Sequence, residues 1–130
     1  MIVQLNGRGN LINNNESDCN INDEELVSRV INEMLCDLDI NNMSILFRTI
    51  GDKTRLKILW ALNKNELCVC DLCGVVNMTK STVSHQLKLL KHINMVKFEK
   101  RGKNCFYKLN DECVANIINV ALGHLHHKER

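Results

Sequence analysis

Thr79-Lys80-Ser81-Thr82-Val83-Ser84-His85-Gln86-Leu87-Lys88-Leu89-Leu90-Lys91-His92 is the stretch that decides the fold. Val83, Leu87 and Leu90 fall at i, i+4 and i+7, the spacing of one helical face, and Thr79 stands where a cap belongs. Burying that stripe leaves Lys80, Ser81, Thr82, Ser84, His85 and Lys88 on or beside the solvent side. Short hydroxyls and an imidazole can reach base edges, and lysines can pair with phosphates, so the set suits a helix laid in a major groove. Just upstream, a short helix is expected at about 67–76, with Asn77-Met78 as the turn. Two short helices joined by a tight turn form the helix-turn-helix pattern.

Downstream of Asn94 the hydrophobic period changes to two. Residues 95–100 alternate, as do residues 104–109, and Arg101-Gly102-Lys103 between them reads as a hairpin tip. The expected sheet is a two-stranded ribbon, which must lean on helices to be stable. Its tip offers Lys100, Arg101 and Lys103, suited to backbone or minor-groove contact beside the inserted helix. A final helix is expected from Asp111 to about His127, with Val114, Ile117, Ile118, Ala121, Leu122 and Leu125 on a broad apolar face.

Upstream, Leu26, Val30, Ile31 and Leu35 predict a helix from Asp23 to about Asp39, with acids in its first turn. Met43, Leu46, Phe47 and Ile50 begin another, which stops near Gly51. Asp52 then caps a helix over residues 53–63, with Leu56, Leu59, Trp60 and Leu62 as its buried stripe. The fold class is therefore mainly α with a small two-stranded β wing, a winged helix-turn-helix. Residues 1–22 are rich in Asn and Gly without an apolar period and read as a flexible arm. Residues 23–130 read as the DNA-binding and dimerisation domain.

At 130 residues the chain is one domain's worth. It has no proline and only 4% aromatic residues, which favours helices over many-turned sheets. It lacks the run of about 20 apolar residues that a membrane span needs. Residues 1–15 lack a secretory signal's basic start and apolar block, so a cytoplasmic location is expected. The net charge of +2 hides an asymmetry. Between Glu16 and Asp39 eight acidic residues face one arginine, whereas between Lys80 and Lys108 eight Lys/Arg face one glutamate. A basic segment that dense in a near-neutral chain points to a polyanion, here double-stranded DNA.

Seven cysteines are many for a cytosolic chain, and their odd number and tight spacing at Cys68, Cys70 and Cys73 argue against a disulfide framework. Metal binding or redox chemistry fits better. Soft thiolates select Cd(II), Pb(II), Zn(II) or Cu(I), and also As(III) or Sb(III). On an undistorted helix Cys70 and Cys73 share a face, while Cys68 is about 160° from Cys70. Either the helix start unwinds so that all three sulfurs face one pyramidal As(III), or Cys68 and Cys70 lie at a frayed first turn and borrow a ligand from elsewhere, with Cys73 helping or merely packing. Cys19 on the arm is the natural extra ligand. Cys36 and Cys105 fit apolar positions. The Cys70-Asp-Leu-Cys73 spacing lacks the βαβ context of a thiol oxidoreductase, so an enzyme is not expected. A thiol redox sensor of the same fold and a zinc-structured module remain as alternatives.

Asp111, Cys113, His124 and His127 form a second set of ligand types. His124 and His127 share a helical face, but Cys113 and His124 are about 16 Å apart along one helix. Two antiparallel copies of that helix could bring start and end together, giving two equivalent sites across a two-fold axis. An O/S/N/N set suits tetrahedral Zn(II).

Residues 43–127 resemble the ArsR/SmtB family of metal-responsive bacterial repressors. The blocks that carry the resemblance are Gly51-Asp52-Lys53-Thr54-Arg55, Glu66-Leu67-Cys68-Val69-Cys70-Asp71-Leu72-Cys73, Ser81-Thr82-Val83-Ser84-His85-Gln86-Leu87 and Lys100-Arg101-Gly102-Lys103. The extended acidic N-terminal segment is similar to that of the cadmium/lead-sensing CadC branch. The resemblance implies a homodimer that binds operator DNA as the apo-protein, represses genes for metal efflux or detoxification, and is released by Cd(II), Pb(II) or Zn(II); the alternative from the residues themselves is an As(III)/Sb(III)-responsive repressor through Cys68, Cys70 and Cys73. It also implies an interfacial Zn(II) site at the second set. Two departures stand out: CadC-type arms carry two cysteines where this arm has one, and Cys113 occupies a position that is usually His in the SmtB-like branch.

Overall fold

The structure, a computed structural model, describes residues 4–5, 11–12, 20 and 22–127. The chain divides into two compact units, Met1–Asp37 and Leu38–Arg130. In the first, β1 (Gln4–Leu5) pairs antiparallel with β2 (Leu11–Ile12), a short ribbon inside the segment read as a flexible arm. Helix α1 (Glu24–Glu33) opens on Asp23, whose carboxylate accepts the Leu26 N–H at 2.9 Å. Its apolar residues Leu26, Val30 and Ile31 are exposed.

The expected helix to Asp39 stops early. Met34 is extended, and α2 (Asp37–Ile50) begins where Asp37 and Asp39 place acids in a first turn, the end of a helix that favours negative charge. Cys36 lies in the break and is exposed, so it does not pack as the small hydrophobe its position suggested.

The second unit holds the core. Helix α3 (Lys53–Lys64) is capped by Asp52, which accepts the Arg55 N–H at 3.0 Å. A two-residue strand, β3 (Leu67–Cys68), leads into α4 (Val69–Val76). Asn77, left-handed with φ 55°, ends α4, and Thr79 caps α5 (Lys80–His92) by accepting the Thr82 N–H at 3.2 Å. Strands β4 (Val96–Arg101) and β5 (Asn104–Leu109) form the hairpin, and α6 (Glu112–His127) closes the described chain.

Val83, Leu87 and Leu90 of α5 are buried as the periodicity required, together with Ile58, Leu59 and Leu62 of α3, Leu72 and Val76 of α4, Met95, Val96, Val114 and Ile118. The α3 stripe is rotated from expectation. Leu56 is exposed and Trp60 half-buried, because both look into an apolar groove of about 830 Å³ between α3 and α6, with Phe47, Val75 and Leu122 also on its walls.

The wing is three-stranded, not two-stranded, in the order β3-β5-β4. Leu67 and Cys68 pair with Tyr107 and Phe106, so the helix expected from Leu67 starts at Val69. A two-residue strand has no period to read, and its partner is far away in sequence.

Candidate nucleic-acid interface and thiol cluster

Helix α5 is set by two local devices. The Thr79 cap fixes its start, with the Thr79 and Thr82 hydroxyls 2.9 Å apart, and the buried stripe fixes its roll. Lys80, Ser81, Thr82, Ser84, His85 and Lys88 are then all exposed on one side. Lys91 instead lies over the Phe98 ring, 4.0 Å from its centroid, which ties the end of α5 to the wing.

The hairpin turns at Gly102-Lys103, with Arg101 paired to Asn104. Gly102 has φ +63° and Lys103 does not, which suits a tight turn of the II′ kind. Lys100, Arg101 and Lys103 are exposed at this tip. Arg101 is differently placed from the two lysines. Its Nη2 donates to Glu66 at 2.8 Å and to Glu99 at 2.9 Å, and its guanidinium lies 5.1 Å from the Phe106 centroid. Lys108 Nζ is 3.5 Å from the other Glu66 oxygen. The Arg101 hydrogen bond is the main cause that holds the Glu66 carboxyl below its ordinary range, and the Glu99 hydrogen bond is the main cause that raises Arg101.

Cys68 is the N-cap residue of α4, extended at φ −79° and ψ 168°, and half-buried. Its thiol donates to the Asp71 carboxylate at 3.2 Å. Because Cys68 precedes the helix, the 160° separation from Cys70 on an ideal helix does not apply. Cys70 is exposed, while Cys73 is half-buried against the core and its carbonyl caps the end of α4. The three side chains are not gathered where one ion could be held. Cys105 is half-buried opposite Lys100. Cys19 lies outside the described residues.

At α6, Asp111 accepts the Val114 N–H at 3.1 Å in the manner of a cap. Asp111 and Cys113 are exposed at the start of the helix, and His124 and His127 are exposed at its end. Among the described residues, no three His, Cys, Asp or Glu side chains gather where one ion could be held. Each set has donors of suitable type, Cys68 bonded to Asp71 with Cys70 two residues on, and the α6 residues split between the two ends of their helix, and each needs further donors brought to it.

Sequence reasoning passed over four residues that the structure brings into play. Asp71 had a signal, standing three residues after a cysteine at a helix start. Glu66, Arg55 and Gln86 stand in the blocks that carry the family resemblance, but nothing there gives their pairings, because the partners are distant in sequence.

Residues 52–97 match the family described as bacterial regulatory protein, arsR family. The transcriptional repressor SmtB homolog of Synechocystis is 36% identical over 101 residues, 78% of this chain and 76% of that protein. The chain belongs to the ArsR/SmtB family. As a member, it is a DNA-binding transcriptional regulator and not an enzyme. The cadmium resistance regulatory protein CadC homolog of Staphylococcus aureus is 39% identical over 80 residues, 61% of this chain and 66% of that one. Among solved structures, the homodimeric winged helix-turn-helix domain of Mb0332 from Mycobacterium bovis superposes with a TM-score of 0.63 at 25% identity, covering 72% of this chain and 93% of that one. In this ArsR/SmtB protein the matched segment contains Cys68, Cys70, Cys73 and all of α5, while the wing tip and the α6 ligand types lie beyond it.

Proposed function

We propose that this chain is a homodimeric metal-sensing repressor that grips operator DNA when metal-free and lets go when Cd(II), Pb(II) or Zn(II) is captured by cysteines at the start of α4. The observation that carries the reading is the position of Cys68. It is at once a soft donor beside Asp71 and a rung of the ladder to β5, paired with Phe106. A shift of Cys68 is thereby felt in the wing, and a shift of α4 is felt in α5, which packs on it through Leu72, Val76 and Val83.

In this proposal Cys68 and Cys70 hold the ion as thiolates, with Asp71 as an oxygen donor and Cys19 as the ligand from the arm. A bound ion supplies a cross-link between positions that are otherwise separate. Cys73, packed against the core, serves packing first, which favours the cadmium, lead and zinc class over a three-sulfur As(III) site. Lys80, Ser81, Thr82, Ser84, His85 and Lys88 meet the major groove, and Lys100, Arg101 and Lys103 meet the backbone or minor groove. Asp111 and Cys113, with His124 and His127 of a second copy, form a separate Zn(II) site across the two-fold axis. Relief of repression needs a coupling of only about 1–3 kcal/mol.

The test is DNA binding by fluorescence anisotropy, using a duplex selected from a random pool by the reduced metal-free protein. Cd(II) should weaken the wild-type complex. Cys68→Ser and Cys70→Ser should bind the same duplex as tightly and ignore Cd(II). Release of both variants by Cd(II) would defeat the assignment. Release by As(III) but not Cd(II), or by peroxide in metal-free buffer, would replace it with an arsenic or a redox sensor.

A further inference from the structure

The structure assigns Arg55 the role of a positioning residue that sets the angle at which α5 is offered to DNA, acting through Gln86. Arg55 is in the first turn of α3 and half-buried. Its Nε donates to the Thr49 carbonyl at 2.8 Å, and its Nη1 donates to Gln86 Oε1 at 3.1 Å. Thr49 is in the last turn of α2, where backbone carbonyls lack partners within the helix and a cation is favoured. Gln86 is half-buried on α5, between exposed His85 and buried Leu87. One planar guanidinium therefore joins the end of α2, the start of α3 and the flank of the reading helix. Its donors lie in a fixed fork, which makes the joint directional.

Direction matters because of what else holds α5. The helix rests on Val83, Leu87 and Leu90, and apolar contact resists removal of the helix much more than small rolls about its axis. Among the described residues, Arg55–Gln86 is the only side-chain hydrogen bond from α5 to a non-adjacent element. A roll of α5 that moves Gln86 also turns its neighbours Ser84 and His85, so loss of the bond degrades base reading before it degrades phosphate contact. A direct grip on phosphate is the competing role. It is disfavoured because Nε and Nη1 already have protein partners on a half-buried side chain.

The experiment uses the full-length reduced protein, the duplex it selects from a random pool, and a scrambled duplex of equal length and composition. Arg55→Met and Gln86→Met are compared with wild type, each first checked by circular dichroism and thermal melting. Affinity for the selected duplex should fall about tenfold in either variant, the loss expected for one charge-assisted hydrogen bond. Affinity for the scrambled duplex should hold, and the salt dependence should not change. The double variant should be no worse than the weaker single one. Equal losses on both duplexes would mean a merely structural role and overturn the proposal. A salt slope smaller by about 0.9 would mean a direct phosphate contact and overturn it too. Should Arg55→Met fail to fold, Gln86→Met decides alone, since it leaves the Arg55–Thr49 bond in place; unchanged discrimination by that variant sinks the idea.

Discussion

The Arg101 guanidinium stands 2.8 Å from the Glu66 carboxylate, joining the wing tip to the residue that precedes β3. Glu99 takes the same Nη2 from within the hairpin at 2.9 Å. Each pair is exposed and individually weak in salt. Together they place one cation between two carboxylates and against an aromatic ring, in the three-stranded sheet that also carries Cys68. Among the described residues, Lys100 and Lys103 make no ion pair.

This difference predicts unequal contributions to DNA binding. A phosphate contact by a free lysine should account for about 0.9 of the slope of log affinity against log salt. Lys103→Gln should lower the slope by about that amount, and Arg101→Gln by less, because two carboxylates already neutralise that charge. Glu66→Gln should tighten non-specific binding. Anisotropy titrations at several salt concentrations check all three, and equal slopes for Arg101→Gln and Lys103→Gln would contradict the clamp.

The same pair sets a pH dependence whose sign is fixed. Glu66 has its carboxyl below the ordinary value of 4.5 in the folded chain, mainly through the Arg101 hydrogen bond. A carboxylate with a depressed folded value contributes fully above its unfolded value, and the contribution is lost as pH falls through the folded one. The clamp should therefore be intact at neutral pH and open only on the acid side of 4.5. Carbon-detected NMR titration of the Glu66 carboxyl should give a midpoint below that value in wild type, returning toward it in Arg101→Gln. A wild-type midpoint at the ordinary value rules the clamp out.

Much of this architecture was legible because it is local. Val83, Leu87 and Leu90 announce α5 by spacing, Thr79 and Asp52 announce helix starts, and Gly102 announces the turn of the wing. What escaped is non-local or lacks a period. Strand β3 has two residues and exists because Tyr107 and Phe106 lie beside it. The break before Asp37 contains neither Gly nor Pro. Leu56 and Trp60 fit a buried stripe by spacing, yet they face the groove toward α6. The candidate sites divide in the same way. Cys68 and Cys70 were visible as a motif, and Asp71 was within local reach of Cys68, whereas Gln86 as the partner of Arg55 needed coordinates.

The Thr79 cap lends itself to a direct stability measurement. Its hydroxyl accepts the Thr82 N–H, one of the helix-start donors that no backbone carbonyl can satisfy. Thr79→Ala should cost about 1 kcal/mol, within the usual 0.5–2 for such caps, and Thr79→Ser should cost much less. Urea unfolding with fitted midpoints and slopes measures this. Equal stability of the Ala and wild-type proteins would mean that the cap does not set the start of α5.

Gly102 separates backbone strain from crowding. A Cβ built there meets nothing within 4 Å, so any cost of a side chain comes from φ +63° alone. The left-handed region costs an ordinary L-residue about 1–2 kcal/mol, and Asn suffers less. Gly102→Ala should therefore destabilise the hairpin by roughly 1 kcal/mol, and Gly102→Asn by less than Ala. The loss should be confined to the wing, because the buried helices do not depend on the turn. Hydrogen exchange should then speed up at the β4–β5 ladder amides, with Leu87 and Leu90 amides unchanged. Uniform acceleration across α5 and the wing would show instead that hairpin and core open as one unit.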